Sequence, residues 1–436
     1  MASVGPVATA TDAVAAVVEP ARPTTALIER STLPSGVRVV TERMPGARSV
    51  AVGAYVGVGG RDESEAVAGA SHFLEHLLFK GTPTRSAREL AEAIDATGGE
   101  MNAYTAREHT SFYARVPANH GTMAVLTLAE VLAEPALRAE EVEAEREVIL
   151  EELAAAEDSP EDVAHMRLAE ALFPEHPLGR EVLGNEASID AMSRDDIAAF
   201  HTEWYRPTNL VIAAAGAVDH AAILGLLDGF LGAGPGGVAP VRSAPVGAPT
   251  PEVVVRHPIE QAHLTFGWRS LDQDDPDRWT LALANYVLGG GTASRLFQEV
   301  REERGLAYTV YSSVSQHVDA GSLTVYAATS PSKVAEVVSI VDRIVADLVA
   351  RGISAAERDL ALSYLEGSIE LAQEDSGARM ARLGRNEQAH GEVLSVDEHL
   401  ARLRAVTVDD VARVLCRVLD GQRSLVAVGP FDALPT

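Results

Sequence analysis

Two segments of the chain, 214 residues apart (403 minus 189), share one pattern. Residues 189–200 read IDAMSRDDIAAF and residues 403–414 read LRAVTVDDVARV. In each, a Ser or Thr is followed by two acids and by apolar residues at helical spacing, which is typical of the start of a helix. An apolar, strand-like stretch follows at about the same distance in both cases. The pattern predicts an internal duplication, which limits the fold to two similar halves.

Each half also begins and continues in a similar way. GVRVVTERMPGARSVAVGAYVGVGG in the first half and VVVRHPIEQAHLTFGWRS in the second are both typical of paired strands around a turn. Further strands and long helical stretches follow in both halves. Strands before and after a set of helices, twice over, predict two α+β domains, each with helices on one face of its sheet.

Domain boundaries are suggested by changes in composition. Residues 231–251 are rich in Gly, Pro and Ala and lack helical or alternating periodicity, so they are predicted to form a linker. Residues 1–28 are predicted to be a disordered tail, with neither a signal peptide nor a membrane span. The first domain then covers residues 29–230, and the second covers residues 252–436.

The charge of the chain restricts its partners. With 36 basic and 63 acidic residues, the formal net charge is −27. Such a surface repels nucleic acid and anionic membranes, and it attracts cationic partners such as basic peptides. The single cysteine excludes an intrachain disulfide and suits a reducing compartment, so a cytoplasmic location is predicted.

A short motif indicates the chemistry. Residues 72–76 read HFLEH, within an apolar stretch that is typical of a helix. At about 100° per residue, His72 and His76 lie on nearly the same face, and Glu75 lies close enough to point into the same cavity. Two imidazoles at this spacing can supply two zinc ligands, and the pattern H-x-x-E-H is that of inverted zinc proteases. The alternative is two structural histidines on an ordinary amphipathic helix.

A third metal ligand must come from elsewhere in the chain. The acid-rich stretch EEVEAEREVILEEL, residues 140–153, is a predicted helix. Glu145 and Glu152 are seven residues apart and share a face with Ile149 between them. An acid-rich helix usually presents a solvated face, but a carboxylate on a partly buried stripe needs a cation. Helical geometry alone leaves Glu145 and Glu152 as equal candidates.

Four motifs together are typical of one protein family. HFLEH, GGEMNAYTAREHT, EREVILEE and GGGTASRLFQEVREERGLAYTVYS occur in this order along the chain. The combination resembles the pitrilysin and insulinase type of zinc metallopeptidase, in particular the β-subunits of mitochondrial processing peptidases and their compact bacterial relatives. The resemblance implies two ferredoxin-like α+β domains related by the duplication, with a chamber enclosed by two chains or by two fused halves.

The resemblance also implies roles for individual residues. His72, His76 and Glu152 match the family's Zn²⁺ ligands. Glu75 matches its general base, and Glu145 matches its additional, outer glutamate. A further group is implied to bind a peptide or unfolded polypeptide, with the last two of its members also helping to polarise the scissile carbonyl: Phe79, Asn102, Ala103, Tyr104, Arg301 and Tyr308.

The predicted function is therefore hydrolysis of peptides by a zinc-dependent endopeptidase. Because the second half lacks H-x-x-E-H, one metal per chain is expected. The resemblance implies that Arg301 and Tyr308 face a zinc from the half across the chamber, either within one chain or, in a homodimer, at the zinc of the partner. A heterodimer with a related subunit fits as well. The alternatives are a non-catalytic partner subunit of a processing-peptidase-like complex and an acidic binding protein with structural histidines.

Overall fold

The computed structural model describes residues 27–232 and 236–435. Its first strand begins at Leu27. The last two residues of the stretch predicted as a disordered tail, Leu27 and Ile28, therefore belong to a strand. The rest of that stretch lies outside the described residues. Within the predicted linker, residues 236–251 belong to no helix or strand. Among the described residues, no helix combines the length and the apolar composition needed to cross a membrane.

The first half contains a six-stranded sheet. Its strands are β1 (Leu27–Thr32), β2 (Arg38–Arg43), β3 (Ser49–Val56), β4 (Glu100–Thr105), β5 (Thr110–Pro117) and β6 (Leu210–Gly216). Their order across the sheet is β1-β2-β6-β3-β5-β4. In this sheet β2 and β6 are parallel, and the other neighbouring strands are antiparallel. Because β4 ends the order, one of its edges has no partner strand within the described sheet.

The second half contains a five-stranded sheet. Its strands are β7 (Glu252–Arg256), β8 (Ala262–Ser270), β9 (Ala307–Gln316), β10 (Gly321–Thr329) and β11 (Ser424–Gly429). Their order is β7-β11-β8-β10-β9. When β1 is left out, the strands of the first sheet follow the same order as those of the second. The parallel pair of β2 and β6 then corresponds to the parallel pair of β7 and β11. The shared topology agrees with the duplication that the sequence predicts, and the α+β fold class is confirmed.

Helices surround the two sheets. In the first half they are α1 (Ala70–Leu78), α2 (Ala87–Asp95), α3 (Gly121–Ala133), α4 (Ala139–Asp158), α5 (Pro160–Leu172), α6 (Glu186–Ala191), α7 (Arg194–Trp204) and α8 (His220–Leu231). In the second half they are α9 (Arg278–Asn285), α10 (Val334–Arg351), α11 (Ala355–Ala372), α12 (Ser376–His390), α13 (Val396–Arg404) and α14 (Val408–Leu419). Short π-helical segments span Tyr286–Gly290 and Phe297–Glu303.

The repeated sequence pattern corresponds to two equivalent helix starts. Ser193 caps α7 and Thr407 caps α14, and each side chain accepts a hydrogen bond from the backbone N–H three residues later. The carboxylates of Asp196 and Asp410 complete the two capping boxes by accepting from the backbone N–H of the cap residue. The two helices lead into β6 and β11, which belong to the parallel pair of each sheet.

Each sheet is covered on its second face by a helix from the other half. On the first sheet, Met380 and Leu383 of α12 pack against Tyr55 and Ala213. On the second sheet, the apolar face of α5 packs against β11 in the same way. The sequence predicts helices on one face of each sheet and does not predict this exchange. The central strands β6 and β11 are buried along their whole length and almost entirely apolar, so their second face also needs a cover.

Polar contacts fix these exchanged helices. The buried carboxylate of Glu42 on β2 accepts hydrogen bonds from Arg379 and Arg382 of α12, at 2.5 and 2.8 Å. Reciprocally, the backbone of α5 accepts hydrogen bonds from Thr265 and Arg269 of β8, at 3.1 and 2.8 Å. Since a buried charge needs such partners, these contacts hold the two halves in one relative position.

Candidate metal centre

The helix that carries HFLEH begins at a left-handed glycine. Gly69 has φ +93°, and a Cβ there would lie 2.7 Å from the carbonyl oxygen of Leu183. Since Gly69 has no side chain to cap α1, the cap comes from the preceding loop. The carboxylate of Glu63 accepts hydrogen bonds from the backbone N–H groups of Gly69 and Ser71, both at 2.7 Å. A carboxylate at a helix N-terminus is favourable, so Glu63 fixes the start of α1 next to His72.

The two histidines of α1 lie side by side. Their ring centroids are 4.7 Å apart and the rings are nearly perpendicular, at 71°. Burial, and then the neighbouring His76, lower the pKa of His72 to about 4. His72 is therefore neutral at pH 7, and a neutral imidazole is the form that binds a metal.

Glu152 faces both imidazoles from α4. Its Oε2 lies 3.5 Å from Nε2 of His72 and 3.5 Å from Nε2 of His76. Donor atoms of all three residues lie within 4.8 Å of one another. Among the described residues, Glu152 forms ion-pair contacts with these two histidines and with no Lys or Arg. The carboxylate thus has no permanent cation beside it.

Glu145 occupies a different position on the same helix. Its Oε2 lies 3.0 Å from Nδ1 of His76, and its Oε1 lies 2.5 Å from Nζ of Lys80. The Glu145 side chain is buried, with 6% of its surface exposed, and Lys80 balances its charge. A carboxylate that accepts from Nδ1 directs the other ring nitrogen, Nε2, towards Glu152. Glu145 is therefore placed to orient His76, and Glu152 to contact a metal.

The donor set fits a divalent metal ion. Two imidazole nitrogens and one carboxylate oxygen are the protein ligands of many catalytic zinc sites, which keep a fourth position open. Nδ1 of His72 is buried without a hydrogen-bond partner, so burial of this ring is not explained by polar contacts within the described residues. A cation would bind the opposite ring nitrogen, Nε2, which faces Glu152 as Nε2 of His76 does, and it would balance the charge of that carboxylate. His72, His76 and Glu152 would hold such an ion.

Glu75 lies beside this group without joining it. Burial raises the pKa of Glu75, and a hydrogen bond from Thr105 opposes the rise. Oγ1 of Thr105, the last residue of β4, donates to Oε2 of Glu75 at 2.5 Å. The bond fixes one oxygen of the carboxylate. A carboxylate made more basic by burial is suited to accept a proton.

A cavity of about 620 Å³ opens over His72 and Glu75. Ala103 and Tyr104 of the edge strand β4 also line this cavity, and residues of β9 and β10 of the second half form the opposite wall. Asn102 precedes them on β4, with its Oδ1 accepting from the N–H of Ala103 at 2.8 Å. The cavity thus joins the candidate metal ligands to an unpaired strand edge.

Phe79, in contrast, does not line this cavity. It directly follows α1, packs edge-on against Phe112 with centroids 6.0 Å apart, and lines a separate pocket with Met101. Its predicted contact with substrate therefore has no support from the cavity over His72.

Arg301 and Tyr308 contact each other but do not line the cavity over His72 and Glu75. The guanidinium of Arg301 lies 4.6 Å from the centre of the Tyr308 ring, and the same group lies 4.7 Å from that of Phe297. Tyr308 is 80% exposed at the start of β9. Within one chain the structure does not bring this pair together with His72 and Glu75.

Sequence reasoning missed three side chains that support the group: Glu63, Lys80 and Thr105. Thr105 stands inside the motif GGEMNAYTAREHT, directly after Tyr104. Lys80 lies four residues after His76, so a search at helical spacing could have found Lys80. Glu63 acts through a loop turn that no periodicity reveals.

The cap on α1 gives a first prediction. Substituting Glu63→Ala leaves two buried backbone N–H groups without an acceptor, so we expect the free energy of unfolding to fall by about 1–3 kcal/mol. The affinity for metal should fall as well, because His72 directly follows the unsupported turn. Denaturant unfolding and metal titration measure the two effects.

Glu65→Ala provides the matched control, since Glu65 is exposed and lies only two residues away. It should change neither quantity. Equal stability of Glu63→Ala and Glu65→Ala would contradict the assigned role of the Glu63 carboxylate.

Two family models match most of the chain. Residues 38–186 match the family model described as insulinase (peptidase family M16), and residues 191–365 match the one described as peptidase M16 inactive domain. Among similar chains, an uncharacterized zinc protease of Mycobacterium tuberculosis is 44% identical over 421 residues, which is 95% of this chain and 96% of that protein. The uncharacterized zinc protease YmxG of Bacillus subtilis is 34% identical over 94% of this chain and 100% of its own.

Solved structures resemble the fold. A peptidase M16 inactive domain from Pseudomonas fluorescens superposes with a TM-score of 0.86 at 22% identity, over 94% of this chain and 100% of that one. A protease from Helicobacter pylori gives the same TM-score and identity, over 93% of this chain and 100% of its own. At this level of identity, the two structures establish the common architecture of both halves.

Proposed function

The chain belongs to the insulinase family of peptidases, family M16, and on that premise we propose that it is a zinc-dependent endopeptidase that hydrolyses peptides or unfolded polypeptide segments. The observation that carries the proposal is the convergence of His72, His76 and Glu152 beside the partly buried carboxylate of Glu75. Relatives named as zinc proteases, matched over nearly the whole chain, support the choice of metal.

The side chains of this site divide the work of peptide hydrolysis. His72, His76 and Glu152 would hold the zinc ion, which would supply a Lewis acid for the scissile carbonyl and for a water molecule. The carboxylate of Glu75 takes a proton from the attacking water and then delivers it to the nitrogen of the leaving amine. Glu145, paired with Lys80, keeps His76 in the orientation that faces the metal.

Substrate is proposed to bind along β4. An extended peptide that adds to the unpaired edge at Asn102, Ala103 and Tyr104 forms main-chain hydrogen bonds with the sheet, which is a common mode of peptide recognition. Thr105 ends the same strand and holds Glu75. A peptide in register with β4 therefore passes close to the catalytic carboxylate.

The proposed activity is tested with a mixture of peptides that covers many sequences. We expect the zinc-loaded protein to cleave part of the mixture, a chelator to stop cleavage, and added zinc to restore it. Mass spectrometry of the products identifies the cleaved bonds. A folded protein with one zinc per chain that cleaves no peptide of the mixture would instead favour the non-catalytic partner subunit.

Arg301 and Tyr308 are proposed to contact the substrate at the zinc of a partner chain in a homodimer. The support is their position: Tyr308 is exposed at one end of β9, and the pair does not line the cavity over Glu75 of its own chain. We expect Arg301→Ala to lower kcat/KM about tenfold or more while zinc stays near one per chain. Peptide kinetics and metal analysis measure both.

Mixing two variants separates action in trans from action in cis. Glu75→Gln and Arg301→Ala chains each have low activity alone. In a mixed dimer, the Arg301→Ala chain keeps Glu75 and receives an intact Arg301 from its partner. Recovery of activity on mixing supports the trans arrangement. An unchanged, low activity in a mixture shown to contain mixed dimers would contradict it.

A cytoplasmic location is also proposed. Its support is the single cysteine of the chain, Cys416, which is exposed and forms no disulfide. Detection of the protein in fractionated cells measures its location.

A further inference from the structure

The space between the two halves continues beyond the catalytic cavity. A second cavity of about 1090 Å³ shares part of its lining, including Thr105, Arg107 and His317, with the cavity over His72. The two cavities therefore form one chamber.

The sign of charge in the second cavity differs from that of the whole chain. The chain has a formal charge of −27, but this lining contains more arginines than acids. The charged side chains of the lining are the carboxylates of Glu108 and Asp319 and the guanidinium groups of Arg38, Arg107, Arg242 and Arg385.

The two acids of this lining are already paired with an arginine of the chain. Glu108 and Asp319 both pair with Arg61, at 2.5 and 2.7 Å. Arg61 is itself buried, with 2% of its side chain exposed. The pairing joins Glu108 of the first half to Asp319 of the second through one guanidinium. Arg61 balances one of these two negative charges, and Nη1 of Arg242 lies 3.9 Å from Oε1 of Glu108 as a second cation.

Three of the four arginines also have nearby acids. Arg242 pairs with Asp62 at 2.7 Å, and Arg38 lies 3.5 Å from Glu387. Arg107 is half-buried and forms no close ion pair among the described residues. Partial burial lowers the pKa of Arg107, and the negative charge of Glu181 opposes that change.

Arg385 differs from these three arginines. It forms no ion pair with a carboxylate in the described part of the chain, and its side chain is exposed to the chamber from α12. Its charge acts on two groups of the chamber. Burial, then Arg385 and then Arg242 lower the pKa of His109 to about 4. Arg385 also opposes the rise that burial causes in the pKa of the Tyr104 hydroxyl. Arg385 lines the second cavity together with Thr105, the last residue of the strand on which the substrate is proposed to bind.

We propose that Arg385 binds a carboxylate of the peptide, so that the protein selects anionic peptides. The inference rests on the proposed peptidase function, because it assigns a second contact to the same bound substrate. A guanidinium matches a carboxylate through two parallel hydrogen bonds, and both acids of the surrounding wall are paired with Arg61. The carboxylate comes from a Glu or Asp side chain or from the peptide's C-terminus, since both have the same chemistry.

This inference reverses the expectation drawn from the total charge. The outer surface attracts cationic peptides at long range, but the second cavity of the chamber has the opposite sign. Short-range pairing in a partly enclosed site outweighs long-range attraction, which physiological salt screens beyond about 8 Å.

The test measures binding separately from cleavage. Fluorescent peptides of one sequence carry Gln or Glu at a position on either side of the cleaved bond, and each is made with a free or an amidated C-terminus. Fluorescence anisotropy gives their affinities for zinc-loaded Glu75→Gln protein. We expect at least one carboxylate-bearing peptide to bind about fivefold or more tightly than the neutral amide, and added salt to reduce that ratio. The peptide that shows the gain identifies the source of the carboxylate.

Substitutions then locate the site. Adding Arg385→Gln to the Glu75→Gln protein should bring the ratio close to one, and Arg385→Lys should give an intermediate ratio because the charge stays and the fork is lost. Arg88→Gln, at an exposed arginine of α2, is the matched control and should leave the ratio unchanged. Equal affinities for acidic and neutral peptides, or a preference that survives Arg385→Gln, would overturn the inference. Absence of cleavage by the wild type would instead overturn the peptidase function, since the affinities do not depend on it.

Discussion

Replacing the catalytic carboxylate should abolish most peptide cleavage and leave the metal in place. We expect Glu75→Gln to lower kcat about 10²- to 10⁴-fold, which is the usual contribution of a general base. The amide has nearly the same shape and still accepts the hydrogen bond from Thr105, so the local structure is retained. It cannot accept the proton of the attacking water. Peptide kinetics on protein of known zinc content measure the loss.

Two further measurements show whether the loss of activity comes from the missing base. Zinc should remain near one per chain, because Glu75 is not among the three converging metal ligands. Glu151→Gln is the control, since Glu151 is an exposed glutamate on α4 next to a ligand, and its activity should match that of the wild type. A Glu75→Gln protein with more than about a fifth of the wild-type kcat would exclude Glu75 as the base.

Loss of the third ligand should remove both metal and activity. In Glu152→Gln, a neutral amide replaces the one ligand that carries a negative charge, on the side that faces both imidazoles. Loss of an outer partner alone costs about 10- to 100-fold in metal affinity, so loss of a direct ligand is expected to cost more. Zinc content after dialysis and competition with a chelator of known affinity give the size of the effect.

Comparison with the neighbouring glutamates of α4 makes this prediction specific. Glu145→Gln should weaken zinc binding by only the outer-partner amount, and Glu151→Gln should not weaken it. The unfolding midpoint of the metal-free proteins shows whether any change reflects folding instead. If Glu145→Gln lost zinc more completely than Glu152→Gln, the assignment of ligand and outer glutamate would have to be reversed.

Local sequence rules predict much of this site. Spacing on a helix places His72 and His76 on one face, and the structure brings their ring centroids to 4.7 Å. The same rules leave Glu145 and Glu152 equal, because seven residues return to nearly the same face of α4. The two glutamates differ because of the position along its axis at which α4 crosses α1. At that position Glu145 meets Nδ1 of His76 and Glu152 meets Nε2. That offset depends on tertiary packing and has no signal in a periodic pattern.

The fold shows the same division between local and long-range information. Repeated caps at Ser193 and Thr407 predict the duplication, and the strand orders agree with it. The pattern could not show which sheet each apolar helix covers, because an apolar face does not specify its partner. The chamber and its arginines depend on that same choice and therefore appear only in three dimensions.

The exchange of α5 and α12 has a consequence for how the chain can be divided. A protease cut within residues 236–251 would leave two polypeptides, and each would lack the helix that covers one face of its own sheet. Neither piece could bury its central strand alone, so the two would stay bound after the cut and would refold only when mixed. The same chain could therefore be produced as two separate, mutually dependent gene products without losing the chamber between them.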